Sequence, residues 1–264
     1  MLLGLLASGG CTAILERSDP QHTTEFAERI EFKDGLSALA AGNPDAPMVL
    51  FIHGTPGSWH AFEDYLQHAQ LRAALHLVAV DRPGFGESKR MGLAPSLRAQ
   101  SQILGQVLRL NRSTRPVLVV GHSLGGSIGT RLAIDHPESV GALLIVSSAL
   151  SPELSKPRWY NRFAATPLIR ILVPGDLRLA NREVMPLSNE LALIEKNLHT
   201  LKIPVTLVQG DKDSLVDPEN ADFVKTAFTH AQLKVDRFPQ EGHFIVWRHV
   251  DHIAAEILRL SKLL

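Results

Sequence analysis

The chain lacks the features of disulfide-bonded, nucleic-acid-binding and membrane-spanning proteins. Its 264 residues include one cysteine, Cys11, which excludes an internal disulfide. The 27 Lys and Arg residues balance the 27 Asp and Glu residues, and no long basic run is present, so we expect no nucleic-acid partner. No apolar stretch approaches the roughly 18 residues of a membrane-spanning helix.

The sequence also lacks the short motifs of the common cofactor sites. It has neither the cysteine and histidine spacing of a zinc site nor a glycine-rich phosphate-binding loop, so we expect no metal and no organic cofactor. Hydrophobic residues make up 45% of the chain, and one large α/β domain of this length can bury them in a sizeable core.

The first residues form a short apolar segment that ends in small residues directly before Cys11. This arrangement resembles the signal of bacterial lipoproteins, in which the cysteine is acylated and becomes the new N-terminus. The resemblance implies a lipid anchor at Cys11, residues 1–24 as signal and tether, and a location at a membrane surface in the cell envelope or periplasm. The alternative is an inert cysteine in the frayed N-terminus of a cytoplasmic protein.

From residue 25 onward, short apolar runs alternate with segments of helical periodicity. Continuous apolar runs such as Met48–Ile52 and Val140–Val146 indicate strands that are buried on both faces. Asp34-Gly35 indicates a hairpin ahead of them. This order predicts a mostly parallel sheet with helices on both faces.

One segment interrupts the alternation. Residues 151–203 separate two predicted strands by more than a single crossover needs, and their prolines predict short helices. We interpret them as a helical lid inserted into one domain of residues 25–150 and 204–264. Its aromatic side chains Trp159, Tyr160 and Phe163 would bind an apolar acyl or alcohol group. In the alternative interpretation, they only pack the lid onto the domain.

The stretch Gly121-His-Ser-Leu-Gly125 lies between a predicted buried strand and a predicted helix. In such a turn, the serine of the pattern G-x-S-x-G exposes its hydroxyl as a nucleophile. A serine nucleophile needs a base, and the base needs an acid that orients it. His243 and Asp213 each follow one of the last two strands, at the carboxyl edge where parallel sheets bind ligands. Ser123, Asp213 and His243 are therefore the predicted catalytic residues.

Several stretches in this order resemble the α/β-hydrolase-fold superfamily over residues 25–264. They are His53-Gly-Thr-Pro-Gly-Ser58, Asp81-Arg-Pro-Gly-Phe-Gly-Glu-Ser88, the serine turn, and the acid and base loops Gly210-Asp-Lys-Asp213 and Gly242-His243. The resemblance implies an eight-stranded, mostly parallel sheet with helices on both faces and a short helical lid. It also implies an oxyanion hole formed by the backbone N–H groups of Thr55 and Leu124.

A serine at this turn excludes the branches of the superfamily that use an aspartate nucleophile. The sequence around it resembles the esterase-like members, so we expect hydrolysis of a small-molecule carboxylic ester with a small or medium apolar acyl group. The reaction would pass through an acyl-enzyme intermediate. The alternatives are a lactone or carbon–carbon bond hydrolase, an acyltransferase or perhydrolase, and a non-catalytic binding protein with the same fold.

Other titratable residues near these loops are expected to have structural roles. Asp217 precedes a proline in the pattern of a helix start. Asp81 is expected to organise a turn, and His53 and His122 are expected to support the loops beside the site.

Overall fold

The structure is a computed structural model that describes residues 26–264. The predicted lipidation site Cys11 and the predicted signal and tether of residues 1–24 lie outside the described residues. Within residues 26–264, no helix combines the length and the apolar composition needed to cross a membrane.

Eight strands form one sheet in the order β1-β2-β4-β3-β5-β6-β7-β8. The strands are β1 (Glu28–Glu31), β2 (Ser37–Gly42), β3 (Met48–Ile52), β4 (His76–Asp81), β5 (Val117–His122), β6 (Val140–Val146), β7 (Pro204–Gly210) and β8 (Gln232–Phe238). β2 pairs antiparallel with β1 and with β4, and every other neighbouring pair is parallel. The predicted eight-stranded, mostly parallel sheet is therefore confirmed.

Helices cover both faces of the sheet. They are α1 (Glu63–Gln67), α2 (Ala69–Ala74), α3 (Leu97–Leu104), α4 (Leu124–Asp135), α5 (Trp159–Ala164), α6 (Pro167–Arg170), α7 (Gly175–Glu195), α8 (Asn220–Ala227), α9 (Ile245–Arg248) and α10 (Val250–Ser261). Side chains alternate along each strand, so Leu50 and Ile52 of β3 pack in one core layer and Val49 and Phe51 in the other. The first layer includes side chains of α3, α4, α7 and α8, and the second includes side chains of α1, α2, α9 and α10.

The inserted segment, residues 151–203, differs from its prediction. Its prolines were expected to divide it into short helices, which holds for α5 and α6 but is wrong for α7. This helix runs for 21 residues and continues through Pro186. A proline inside a helix costs about 3 kcal/mol, because it removes a backbone hydrogen bond and crowds the preceding turn. Burial of apolar side chains on one face of the helix offsets this cost; they are Ala180, Leu187, Leu191 and Ile194.

Backbone contacts explain the glycines at the turn between β5 and α4. A Cβ atom on Gly125 would overlap the carbonyl oxygen of Ile52 and would lie 2.7 Å from that of His53. A Cβ atom on Gly121 would overlap the backbone of Gly125. The start of α4 therefore touches the end of β3 directly, at a distance that only glycine allows.

We expect Gly125→Ala to lower the free energy of unfolding by about 3 kcal/mol, because the added methyl group meets backbone atoms of β3. The matched control is Gly175→Ala at the start of α7, where a Cβ atom meets nothing within 4 Å. This control should keep or slightly raise the stability. Urea unfolding measures both variants, and equal unfolding midpoints would contradict the close backbone approach.

Candidate active site

Ser123 occupies a strained backbone conformation between β5 and α4, with φ 53° and ψ −128°. Hydrogen bonds of the Ser123 backbone N–H and carbonyl groups hold the turn in place. The Ser123 N–H donates to the Val146 carbonyl at 2.9 Å, and the Ser123 carbonyl accepts from the Ser148 hydroxyl at 2.6 Å and from the Gly126 N–H at 3.0 Å. The residue as a whole is half-buried.

The loop after β3 lies directly against Ser123. A Cβ atom on Gly54 would be 2.8 Å from the Ser123 Cβ and 3.3 Å from its Oγ. Thr55 comes next in the chain, and its buried hydroxyl has no hydrogen-bond partner within residues 26–264. Leu124 is the first residue of α4, where backbone N–H groups lack partners inside the helix. The two predicted oxyanion donors are therefore the backbone N–H of Thr55, which follows Gly54, and that of Leu124, which follows Ser123.

His243 and Asp213 meet at the carboxyl edge of the sheet, in the loops after β8 and β7. The His243 Nδ1 donates to the Asp213 Oδ2 at 2.8 Å, and the Asp213 Oδ1 accepts from the N–H groups of Leu215 and Val216, both at 2.9 Å. Burial favours the neutral acid, but the hydrogen bond and charge of His243 outweigh it and hold the pKa of Asp213 below its usual value. The ionised carboxylate fixes the proton on Nδ1 and leaves Nε2 as the basic atom.

His122, the last residue of β5, supports the loop that carries His243. Its Nε2 donates to the His243 carbonyl at 3.1 Å, and its ring centre lies 4.9 Å from that of His243 and 5.0 Å from that of Trp247. Burial, together with the charge of His243, lowers the pKa of His122 to about 3. His122 is therefore neutral near neutral pH and positions the base loop.

His53 holds the loop that passes Ser123. Its Nε2 accepts the backbone N–H of Arg82 at 3.0 Å, so its proton lies on Nδ1, which donates to the Gly54 carbonyl at 2.7 Å. Burial and the charge of Arg82 lower the pKa of His53 well below its ordinary value. His53 is thus a neutral support of the loop.

The carboxylates of Asp81 and Asp217, the other acidic residues near these loops, accept hydrogen bonds from backbone N–H groups. Asp81 accepts the N–H groups of Trp59 at 2.8 Å and Glu87 at 3.0 Å, and burial raises its pKa to about 6. Asp217 accepts the N–H of Glu219 at 3.0 Å. No group of three or more His, Cys, Asp or Glu residues within the described part of the chain is arranged to hold a metal ion.

Two of the three aromatic residues predicted to bind substrate, Trp159 and Phe163, are largely exposed. Trp159 is 74% exposed and Phe163 is 54% exposed, so the alternative packing interpretation is wrong for both. Tyr160 is half-buried, with its ring centre 5.9 Å from that of Trp159. Arg158 donates to the Ser214 carbonyl at 2.9 Å, which ties the start of α5 to the loop of Asp213. Substrate contact by these aromatic residues stays a prediction.

A buried ion pair behind the loop of His53 was not predicted from the sequence. Arg82 and Glu183 are 0% and 1% exposed, and the Arg82 Nη1 lies 2.6 Å from the Glu183 Oε1. Arg82 belongs to Asp81–Ser88, one of the stretches that resemble the superfamily. Glu183 lies four residues before Leu187 on the same face of α7, so the helical spacing of the apolar residues after it was the signal for its burial.

Known proteins resemble this chain in sequence and in fold. A family model described as alpha/beta hydrolase fold matches residues 47–170. Lipase 1 of Psychrobacter immobilis is 26% identical over 225 residues, which cover 73% of this chain and 70% of that protein. The pimeloyl-[acyl-carrier protein] methyl ester esterase of Yersinia enterocolitica is 35% identical over 111 residues, 41% of this chain and 38% of that protein. The crystal structure of Cfl2 from Burkholderia cenocepacia matches with a TM-score of 0.72 at 19% identity, over 91% of this chain and 97% of that one.

We expect Asp213→Asn to slow the reaction of Ser123 with a fluorophosphonate probe by roughly 10³- to 10⁴-fold, because the amide no longer fixes the His243 tautomer. Asp217→Asn makes the same substitution four residues along the chain and should change the rate by less than about twofold. Timed labelling followed by mass spectrometry gives both rates. Similar losses in the two variants would remove Asp213 from its assigned role.

Proposed function

We propose that the chain, which has the α/β-hydrolase fold, is a serine hydrolase that cleaves carboxylic esters with small or medium apolar acyl groups. The hydrogen-bonded pair of His243 and Asp213 carries the proposal. This pair lies at the carboxyl edge of the sheet, the same edge at which the turn exposes Ser123.

In the proposed reaction, the Ser123 Oγ attacks the ester carbonyl carbon while the His243 Nε2 takes the hydroxyl proton. The carbonyl oxygen becomes an oxyanion, which the N–H groups of Thr55 and Leu124 stabilise. The intermediate then expels the alcohol, which receives the proton from His243. Water, activated by the same histidine, hydrolyses the acyl-enzyme and releases the acid and free Ser123.

The unpartnered hydroxyl of Thr55 supports this location of the oxyanion. A buried hydroxyl without a hydrogen bond is costly, and a substrate oxygen bound beside it would supply the missing partner. The hydroxyl would then be a third donor, next to the backbone N–H of the same residue.

We assign substrate choice to the inserted segment, as a lid. The helices α5 and α6 and the residues directly after α6 expose large apolar side chains, and Arg158 ties the start of α5 to the loop of Asp213. Trp159 and Phe163 are 74% and 54% exposed, and Leu168 and Leu172 are 82% and 79% exposed. Apolar surface of this kind suits an apolar acyl or alcohol group and gives little affinity for a charged one.

A chain-length series of nitrophenyl esters tests the proposal. We expect the wild-type protein to hydrolyse these esters with a preference for small or medium acyl chains, and Ser123→Ala to lose at least about 10³-fold in kcat. The matched control is Ser113→Ala, in the loop at the opposite end of β5 from Ser123, which should keep full activity.

Product analysis separates this proposal from the alternatives. Release of free acid in water supports hydrolysis, whereas transfer of the acyl group to an added alcohol in preference to water indicates an acyltransferase. Failure of the wild-type protein to react with both the esters and a fluorophosphonate would favour a binding protein with this fold.

A further inference from the structure

A buried polar network joins the inserted segment to the loop beside Ser123. Arg82, directly after β4, donates to both carboxylate oxygens of Glu183 in α7, at 2.6 and 3.1 Å. Gln100 of α3 accepts from Arg82 at 2.8 Å and donates to Glu183 at 2.8 Å. All three side chains are essentially inaccessible to solvent. Burial of an ion pair carries a large desolvation cost and adds little net stability. Stability alone therefore does not explain why this network is buried.

The remaining donors of Arg82 bind the backbone of the loop after β3. Its Nε donates to the His53 carbonyl at 2.9 Å, and its Nη2 donates to the Gly54 carbonyl at 2.7 Å. The Gly54 carbonyl also accepts from the His53 Nδ1 at 2.7 Å. Two donors therefore fix the direction of this one carbonyl group.

The geometry of the peptide bond transmits this direction to Thr55. The Gly54–Thr55 bond is trans, so its C=O and N–H groups point in opposite directions within one plane. With the carbonyl held toward Arg82, the Thr55 N–H faces away from Arg82. Gly54 itself lies against the Ser123 side chain, so a small rotation of this peptide would move the N–H relative to the reacting atoms.

We propose that Arg82 and Glu183 are positioning residues that aim the Thr55 N–H at the oxyanion. Glu183 orients the guanidinium, and the guanidinium orients the Gly54–Thr55 peptide. The proposal rests on the proposed ester hydrolysis. It also assigns a second role to the inserted segment, since α7 of the segment helps to shape the oxyanion hole.

Two substitutions weaken the network in different ways. Glu183→Gln keeps the size of the side chain but removes its charge. Arg82→Lys keeps the charge but loses the planar fork that reaches two carbonyl groups and a carboxylate together. The matched control is Arg131→Lys, which alters another arginine–carboxylate pair, with Asp135 at 2.7 Å on α4.

Kinetics and inhibitor binding distinguish positioning from simple support of the fold. We expect each variant to lose about 10- to 100-fold in kcat with KM within about threefold of wild type, a smaller loss than complete removal of an oxyanion donor. Affinity for a trifluoromethyl ketone, which forms a tetrahedral oxyanion on Ser123, should fall by the same factor as kcat. Affinity for the matching methyl ketone, measured under the same conditions, should fall much less. Each kcat is calculated from the concentration of protein that a saturating fluorophosphonate labels, so unfolded protein does not lower the value. If Arg82→Lys does not fold, Glu183→Gln alone decides the test.

Unchanged kcat and trifluoromethyl ketone affinity in a folded Glu183→Gln variant would overturn the positioning role and leave the hydrolase intact. A rise in KM alone would also overturn it, because it would indicate a role in substrate binding. A wild-type protein that hydrolyses no ester and does not bind the trifluoromethyl ketone would overturn the proposed function and this inference together.

Discussion

The direct backbone contact between the start of α4 and the end of β3 is the constraint on which the site depends. Gly125 touches the carbonyl groups of Ile52 and His53, and Gly54 touches Ser123. These contacts bring the loop after β3 and the turn after β5 to the same point. They also require the positive φ of Ser123, because the chain has to pass from strand to helix within one residue. The sheet behind the turn is buried on both faces, and its rigidity maintains this strain.

The charges around this contact suit the role of base that we propose for His243. Asp213 is held ionised, and burial keeps His53 and His122 neutral. The positive charge of Arg82 is balanced by Glu183 within the protein interior. In the proposed reaction, the positive charge that forms on His243 would lie beside the Asp213 carboxylate, 2.8 Å from its ring.

The sequence was sufficient to predict features that depend on local patterns. The runs Met48–Ile52 and Val140–Val146 became strands with those bounds, because a continuous apolar run between turn residues suits a strand covered on both faces. Asp213 and His243 also lie within hydrogen-bond distance, as their positions after the last two strands predicted. The helical spacing of apolar residues continues beyond the α-helix α3, which ends at Leu104, because a separate 3₁₀ turn follows at Val107–Leu110.

Features that depend on distant contacts could not be predicted in this way. The continuation of α7 through Pro186 depends on packing against the domain, and this packing outweighs the local preference of proline. The pairing of Glu183 with Arg82 joins residues that are 101 positions apart. The shape of the proposed substrate could not be predicted either, because it depends on how the exposed apolar side chains of α5 and α6 lie around the site and not on their sequence alone.

Identification of the acylated residue tests the central claim most directly. A nitrophenyl ester mixed with the protein and quenched with acid during turnover should leave one acyl group per chain, and peptide mapping should locate it on Ser123. We expect this acyl group to disappear from Ser123 as the free acid is released. Stable modification of a different residue, or hydrolysis of the ester without any acyl group on Ser123, would contradict the account.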